Sequence, residues 1–178
     1  VLEAMDSYYR HDNANIHRAT HLLGERATAL YEGAREKVRR FINAADTREI
    51  IFVRGTTEAV NLVASSFGLS CKPGDEILIS GLEHHSNIVP WQLLCQRSGA
   101  VLKVIPINDE GELIETEFEK LLGPKTKLLS ILHVSNALGR SVPVEKMIAR
   151  AHAAGAPGCG DGGQAVPDQG VDVRGRDG

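Results

Sequence analysis

Aromatic side chains make up 4% of the 178 residues, with a single tryptophan, and cysteine occurs three times, as Cys71, Cys95 and Cys159. An odd, widely spaced set of cysteines matches no disulfide framework or zinc motif; these read as reduced thiols, and no metal is implied. No apolar run approaches the length that spans a bilayer. Val1-Leu2-Glu3-Ala4-Met5-Asp6 has neither the basic nor the apolar region of an export signal, so a cytoplasmic location and no membrane association are expected. Excess charge is missing too. The formal net charge is -3 with both signs interspersed, which leaves no basic stripe for nucleic acid and no like-charged interaction tail. What remains is 42% hydrophobic and 24% charged, an ordinary soluble composition in a chain long enough for one domain with a real core. There is no internal repeat.

The pattern along the chain is one helix followed by alternating strands and helices. Ala27, Leu30, Tyr31, Ala34, Val38, Phe41 and Ile42 recur at helical spacing, which predicts an amphipathic helix over residues 25–43. Strand-length runs rich in branched residues follow at 50–53, 77–79, 101–105 and 128–134. Thr56 or Thr57 is expected to cap a helix over 58–66, and Ser86 or Asn87 one that carries Pro90 in its first turn. Gly155 closes a helix that begins near Val144. Asn108-Asp109-Glu110-Gly111 reads as a turn into a short helix at 115–122. The expected fold class is α/β, with a mostly parallel sheet flanked by helices.

The last 23 residues, 156–178, hold seven glycines, and Pro157-Gly158-Cys159-Gly160 stands where the alternation calls for a buried strand. Glycine and proline disfavour a strand interior. The stretch reads either as a flexible tail or as an altered strand ahead of Asp161, and single-base changes convert Val and Ala codons to Gly codons.

Four polar clusters sit just past the carboxyl ends of expected strands, where doubly wound sheets bind ligands. Arg54-Gly55-Thr56-Thr57-Glu58 offers free N–H groups, two hydroxyls and a helix dipole for a phosphate, or an ordinary N-cap. Glu83-His84-His85-Ser86-Asn87 offers an imidazole that can stack on a heteroaromatic ring, or a surface loop; adjacent histidines diverge, which speaks against a metal. His133-Val134-Ser135-Asn136 places a side-chain amide where it can meet a phenolate-like oxygen. Asp161-Gly162-Gly163-Gln164 supplies a carboxylate and an amide, or a simple Asp-Gly turn. A carboxylate facing a pyridine nitrogen keeps it protonated, so the set suits pyridoxal phosphate.

Taken in order, these residues closely resemble the group II cysteine desulfurases, pyridoxal-phosphate enzymes of the class V aminotransferase family related to selenocysteine lyase. The resemblance runs from Tyr8-Tyr9 and Asn13-Ala14-Asn15-Ile16-His17-Arg18 through Phe52-Val53-Arg54-Gly55-Thr56-Thr57-Glu58. Its most specific stretch is Glu83-His84-His85-Ser86-Asn87-Ile88-Val89-Pro90-Trp91-Gln92, followed by His133-Val134-Ser135-Asn136.

The resemblance implies the large domain of a fold-type I transferase, with pyridoxal 5'-phosphate as cofactor. Thr56 and Thr57 match its phosphate-binding turn, His84 the residue that stacks on the pyridine ring, and Asn136 and Gln164 the partners of the ring oxygen and nearby groups. Asp161 matches the pyridinium partner, and His17 with Arg18 matches a loop bordering the substrate pocket. The implied reaction removes sulfur from L-cysteine, or from selenocysteine its selenium, leaving alanine, with a protein thiolate carrying the persulfide. A homodimer and a sulfur-acceptor protein are implied partners. Residues 1–24 then line the active site, 25–155 form an incomplete cofactor domain, and 156–178 carry the aspartate motif. The family's cofactor-binding lysine, after a Ser-Gly-His run, and its sulfur-accepting cysteine match positions beyond Gly178, as does its small C-terminal domain. The chain thus reads as a truncated large domain without turnover of its own. The alternatives are a selenocysteine lyase or another enzyme of the class V aminotransferase family, or a non-catalytic α/β fragment.

Overall fold

The computed structural model describes residues 1–18, 20–166 and 170–173. The chain divides into two compact units, one of residues 1–51 with a short stretch at Asp172, the other running from Phe52 to Val171.

In the N-terminal unit, helix α1 (Leu2–Ser7) runs directly into a wide turn at Tyr8–Asp12. Helix α2 (Leu22–Phe41) starts three residues earlier than its apolar spacing suggests. The cause is His21, whose Nδ1 accepts the backbone N–H of Gly24 at 3.2 Å and so caps the first turn. The helix ends at Asn43, which adopts a left-handed φ of 55° and lets Ala44 N–H reach Arg39 C=O at 2.9 Å.

The second unit is built on a four-stranded sheet, β1 (Glu76–Ser80), β2 (Val101–Ile105), β3 (Thr126–Leu132) and β4 (Gly158–Asp161), in the order β2-β1-β3-β4 and parallel throughout. Helices α3 (Thr56–Ser66) and α4 (Val89–Ser98) bring Val60, Ala64, Trp91 and Leu94 onto Ile77, Ile79 and Leu128. On the opposite face α5 (Glu115–Leu121) and α6 (Val144–Ala153) pack Phe118, Val144, Met147, Ile148 and Ala151 onto Leu78, Ile105, Leu129 and Ile131. Alternate residues of β1 and β3 thus feed two separate cores, as in sheets buried on both faces.

Two expectations change. Residues 50–53 join no ladder among the described residues, and Ile51 is exposed. A run of branched residues makes a strand only where a neighbouring strand completes its hydrogen bonds. Conversely, Gly158-Cys159-Gly160-Asp161 is a strand, in register with Leu129 through Leu132. Gly158 fits because α6 lies close: a Cβ there would stand 2.7 Å from Ile148 Cγ1. Gly155, with φ 83°, ends α6 as expected and turns the chain into β4.

Candidate functional site

The carboxyl ends of β3 and β4, the loop after β1 and the first turn of α3 enclose a pocket of about 480 Å³. Thr56, Thr57, His84, Asn136, Asp161 and Gln164 all line it, together with Arg54, Gly55, Glu58, Ser86, Leu132, Val134 and Gly163. Six residues spread over more than a hundred positions therefore meet at the end of the sheet where the strand order sends ligands.

Gly55, rather than a threonine, is the N-cap of α3, and no side chain caps the helix. Both threonine hydroxyls and the first-turn N–H groups consequently stay free of a capping bond, an arrangement that attracts an anion. Glu58 would repel one, but Arg54 grips it: Nε and Nη2 donate to its two oxygens, each at 3.1 Å, and Arg54 N–H adds a bond at 2.7 Å. The guanidinium holds the Glu58 carboxyl below its ordinary pKa, so the pair is internally neutralised.

Ser86 and Asn87 are not caps of α4 either; both are buried in a short 3-10 turn, His85–Asn87. His84 caps that turn, its Nδ1 accepting Ser86 N–H at 3.3 Å with Ser86 Oγ 2.8 Å away. The His85 ring packs against it at 3.9 Å between centroids. The imidazole is thus fixed in place before any ligand arrives.

Asp161 ends β4 half-buried, and its Oδ1 accepts Gly163 N–H at 2.9 Å. The absence of a side chain at Gly163 permits this turn, since a Cβ there would stand 2.9 Å from Thr56 Oγ1 and 3.1 Å from Asp161 Oδ1. Asn136 is exposed at the tip of a loop closed by Ser135 N–H to Arg140 C=O and by Val142 N–H to His133 C=O. Gln164, also exposed, follows the Asp161 turn. A carboxylate, two carboxamides, an imidazole ring and an uncapped helix start form a donor set that fits an anionic, nitrogen-containing aromatic cofactor.

His17 and Arg18 belong to the N-terminal unit. There His17 takes a left-handed φ of 58°, its Nε2 lies 3.0 Å from Glu32 Oε1, and its ring meets Tyr31 edge-on; Arg18 is exposed.

Composition and periodicity gave no sign of one set of residues beneath the pocket. Glu83, only 9% exposed, accepts hydrogen bonds from Ser80, Asn87 and the backbone of Leu132, while Asn87 in turn accepts from Trp91 and Ser130. The signal available was a carboxylate flanked by the end of an apolar strand and an Asn-x-x-x-Trp spacing that places both side chains on one helical face. Cys71, Cys95 and Cys159 are free, and burial pushes all three thiols up in pKa, away from the reactive thiolate. Among the described residues no cluster of three His, Cys, Asp or Glu gathers to hold a metal, and no helix is long and apolar enough to cross a membrane.

Comparison with known proteins accords with this geometry. A cysteine desulfurase of Synechococcus elongatus is 52% identical over 99% of this chain, and a probable cysteine desulfurase of Halalkalibacterium halodurans 50% identical over 98%. The apo cysteine desulfurase from Thermococcus onnurineus superposes with a TM-score of 0.92 at 40% identity over 97% of the chain. The chain spans only 28% of the first of these proteins and 43% of the other two. The architecture is accordingly part of a pyridoxal-phosphate-dependent transferase fold. The family model for class V aminotransferases matches residues 1–177, and the chain belongs to that family.

Proposed function

We propose that this chain is the cofactor-holding part of a cysteine desulfurase, which removes sulfur from L-cysteine to leave L-alanine and passes it on as a persulfide. The observation that carries the proposal is the convergence of Thr56, Thr57, His84, Asn136, Asp161 and Gln164 on one pocket at the strand ends. The cofactor of such enzymes, when bound, supplies an electron sink.

This chain's residues have separable tasks. The start of α3, with Thr56 and Thr57, binds the phosphate, and the Arg54–Glu58 pair keeps that end from being negatively charged. His84 stacks on the ring and offers its Nε2 proton to the pocket. Asp161 holds a proton on the ring nitrogen, while Asn136 and Gln164 orient the ring oxygen and its surroundings. His17 and Arg18 border the substrate in the complete protein. Residues 1–24 line the site, 25–155 form the cofactor domain and 156–178 carry the aspartate motif; the lysine and the sulfur-accepting cysteine come from chain outside this stretch. The complete protein is assigned a homodimeric state, a sulfur-acceptor protein and a cytoplasmic setting.

The test is to supply full-length protein with L-cysteine and a reductant and to measure products. Equal amounts of alanine and sulfide support the proposal. Pyruvate and ammonia in place of alanine would make the protein an eliminating lyase and refute it. Selenocysteine in a parallel assay separates the selenocysteine lyase alternative.

A further inference from the structure

The order β2-β1-β3-β4 means that the chain winds outward in opposite directions from the central pair, and β1 and β3 part company at their carboxyl ends. Their register stops at Ile79 and Ser130, and Glu83 enters the gap beyond. Its Oε1 accepts Leu132 N–H at 3.0 Å, in place of the strand partner that β1 no longer supplies, and Ser80 Oγ–H at 2.5 Å. Its Oε2 accepts Asn87 Nδ2 at 2.7 Å.

The orientation of that amide is not arbitrary. Trp91 Nε1 can only donate, and it lies 2.9 Å from Asn87 Oδ1, which also takes the Ser130 hydroxyl at 2.7 Å. The Asn87 NH2 must therefore face Glu83. Glu83 meets three donors and no acceptor, the environment of a carboxylate. Asn87, Trp91 and Ser130 are fully buried, so no solvent can substitute for a missing partner. Leu132 lines the pocket, and its register partner on β4 is Asp161. His84 follows Glu83 directly in sequence.

We infer that Glu83 is a positioning residue: its carboxylate wedges the ends of β1 and β3 apart and, through Leu132 and His84, sets the floor of the pocket on which Asp161 stands. The inference rests on the functional reading above, in that the ligand of the pocket is taken to be pyridoxal phosphate. A buried carboxylate is an expensive way to hold a core together, since apolar residues of similar volume usually serve as well. Here it serves the strand split that makes room for the ligand.

The hydrogen-bond pattern dictates the experiment. In Glu83→Gln the new NH2 must face either Asn87 Nδ2 or Leu132 N–H, and Trp91 prevents Asn87 from turning over. Adding Asn87→Asp resolves the conflict: one Asp oxygen accepts from Gln and the other from Trp91 and Ser130, with the charge moved from position 83 to position 87 and none lost. Pyridoxal phosphate affinity and the melting temperature of the cofactor-free full-length protein are measured for wild type, Glu83→Gln and Glu83→Gln/Asn87→Asp. Glu83→Gln is expected to weaken binding on the order of tenfold, the cost of one unsatisfied buried donor, and to lower the melting temperature. The double variant is expected to recover both.

Wild-type affinity in Glu83→Gln would overturn the inference, as would a double variant that regains the melting temperature without the affinity. If Glu83→Gln yields no soluble protein, the double variant decides alone: affinity near wild type supports the inference, and tenfold weaker binding sinks it. A wild-type protein that bound no pyridoxal phosphate would instead refute the functional reading and the inference with it, a result distinct from a loss confined to the variants.

Discussion

The hydroxyl of Ser86 lies 2.8 Å from His84 Nδ1, and the Ser86 backbone N–H approaches the same nitrogen at 3.3 Å. A nitrogen that faces an obligate donor carries no proton, so the neutral ring keeps its proton on Nε2. Nitrogen-15 shifts of the neutral His84 ring in full-length protein should show an unprotonated Nδ1 and a protonated Nε2. The reverse tautomer would show that Ser86 does not govern the ring.

On the roles proposed above, Asp161 and His84 differ in what their loss removes. Truncating His84 takes away a stacking surface of about 1 kcal/mol, so His84→Ala should slow turnover of the complete enzyme by roughly tenfold or less. Asp161→Ala should cost on the order of a hundredfold or more, because a charge aimed at the reacting system is lost. Steady-state kinetics with saturating cofactor check the ordering. Near wild-type turnover in Asp161→Ala would remove Asp161 from its assigned role.

Among the described residues, no lysine lines the pocket. Treated with pyridoxal phosphate and then borohydride, this chain by itself should therefore carry no stoichiometric label on any one lysine. Mass spectrometry that found one lysine fully modified would contradict the assignment of the covalent attachment to chain outside this stretch.

Gly158 faces Ile148 so closely that any side chain requires the Ile148 side chain to give way. Gly158→Val should destabilise the protein by roughly 1–3 kcal/mol, the usual range for overpacking. Ile148→Ala should relieve that cost in a double-mutant cycle. Additive effects in denaturant melts would mean that β4 does not pack on α6 as described.

Acid should weaken the ion pairs of the N-terminal unit. Hydrogen bonds from Arg39 and Arg40 lower the Glu36 pKa from 4.5 to about 2, and those from Arg48 lower Asp46 from 3.8 to about 2. A depressed carboxylate stabilises the fold above its unfolded pKa and loses that contribution as pH falls through its folded value. Helicity of this unit should therefore decline between about pH 4.5 and pH 2, and less steeply in high salt, where exposed pairs are already screened. Glu83 works in the opposite sense. Burial raises its pKa, so its carboxylate weakens stability as pH rises above the ordinary glutamate value. Circular dichroism of wild type and Glu36→Gln against pH separates the two effects; identical acid curves would dismiss the Glu36 contribution.

Much of this was legible locally. The runs at 77–79 and 128–134 specified their strands because each is buried between two helical layers, and the run at 101–105 did so from its branched residues although Val101 and Val104 are exposed at the sheet edge. The strand at 158–161 was hidden because its residue types argue against it, and only the proximity of Ile148 makes glycine suitable. The caps failed for a related reason. Ser86 and Asn87 have the composition of caps, but burial of the turn turned them inward, to His84 and to Glu83. The role of Glu83 depends on Ser130 and Leu132, more than forty residues away, a relationship no local pattern carries. The convergence of His84, Asn136, Asp161 and Gln164 was readable because each stands at or after the end of a strand, and parallel strands bring such positions to one edge, whereas Thr56 and Thr57 reach the same pocket from the start of α3 with no described strand before them.

On the proposed function, this pocket holds pyridoxal phosphate with its ring nitrogen on Asp161. Its most direct test is the nitrogen-15 resonance of ring-labelled pyridoxal phosphate bound to the full-length protein, compared with the Asp161→Ala variant. A protonated ring nitrogen at neutral pH in the wild type, with that proton lost in the variant, is the expected result. The same resonance in both, with the cofactor bound in each, would contradict it.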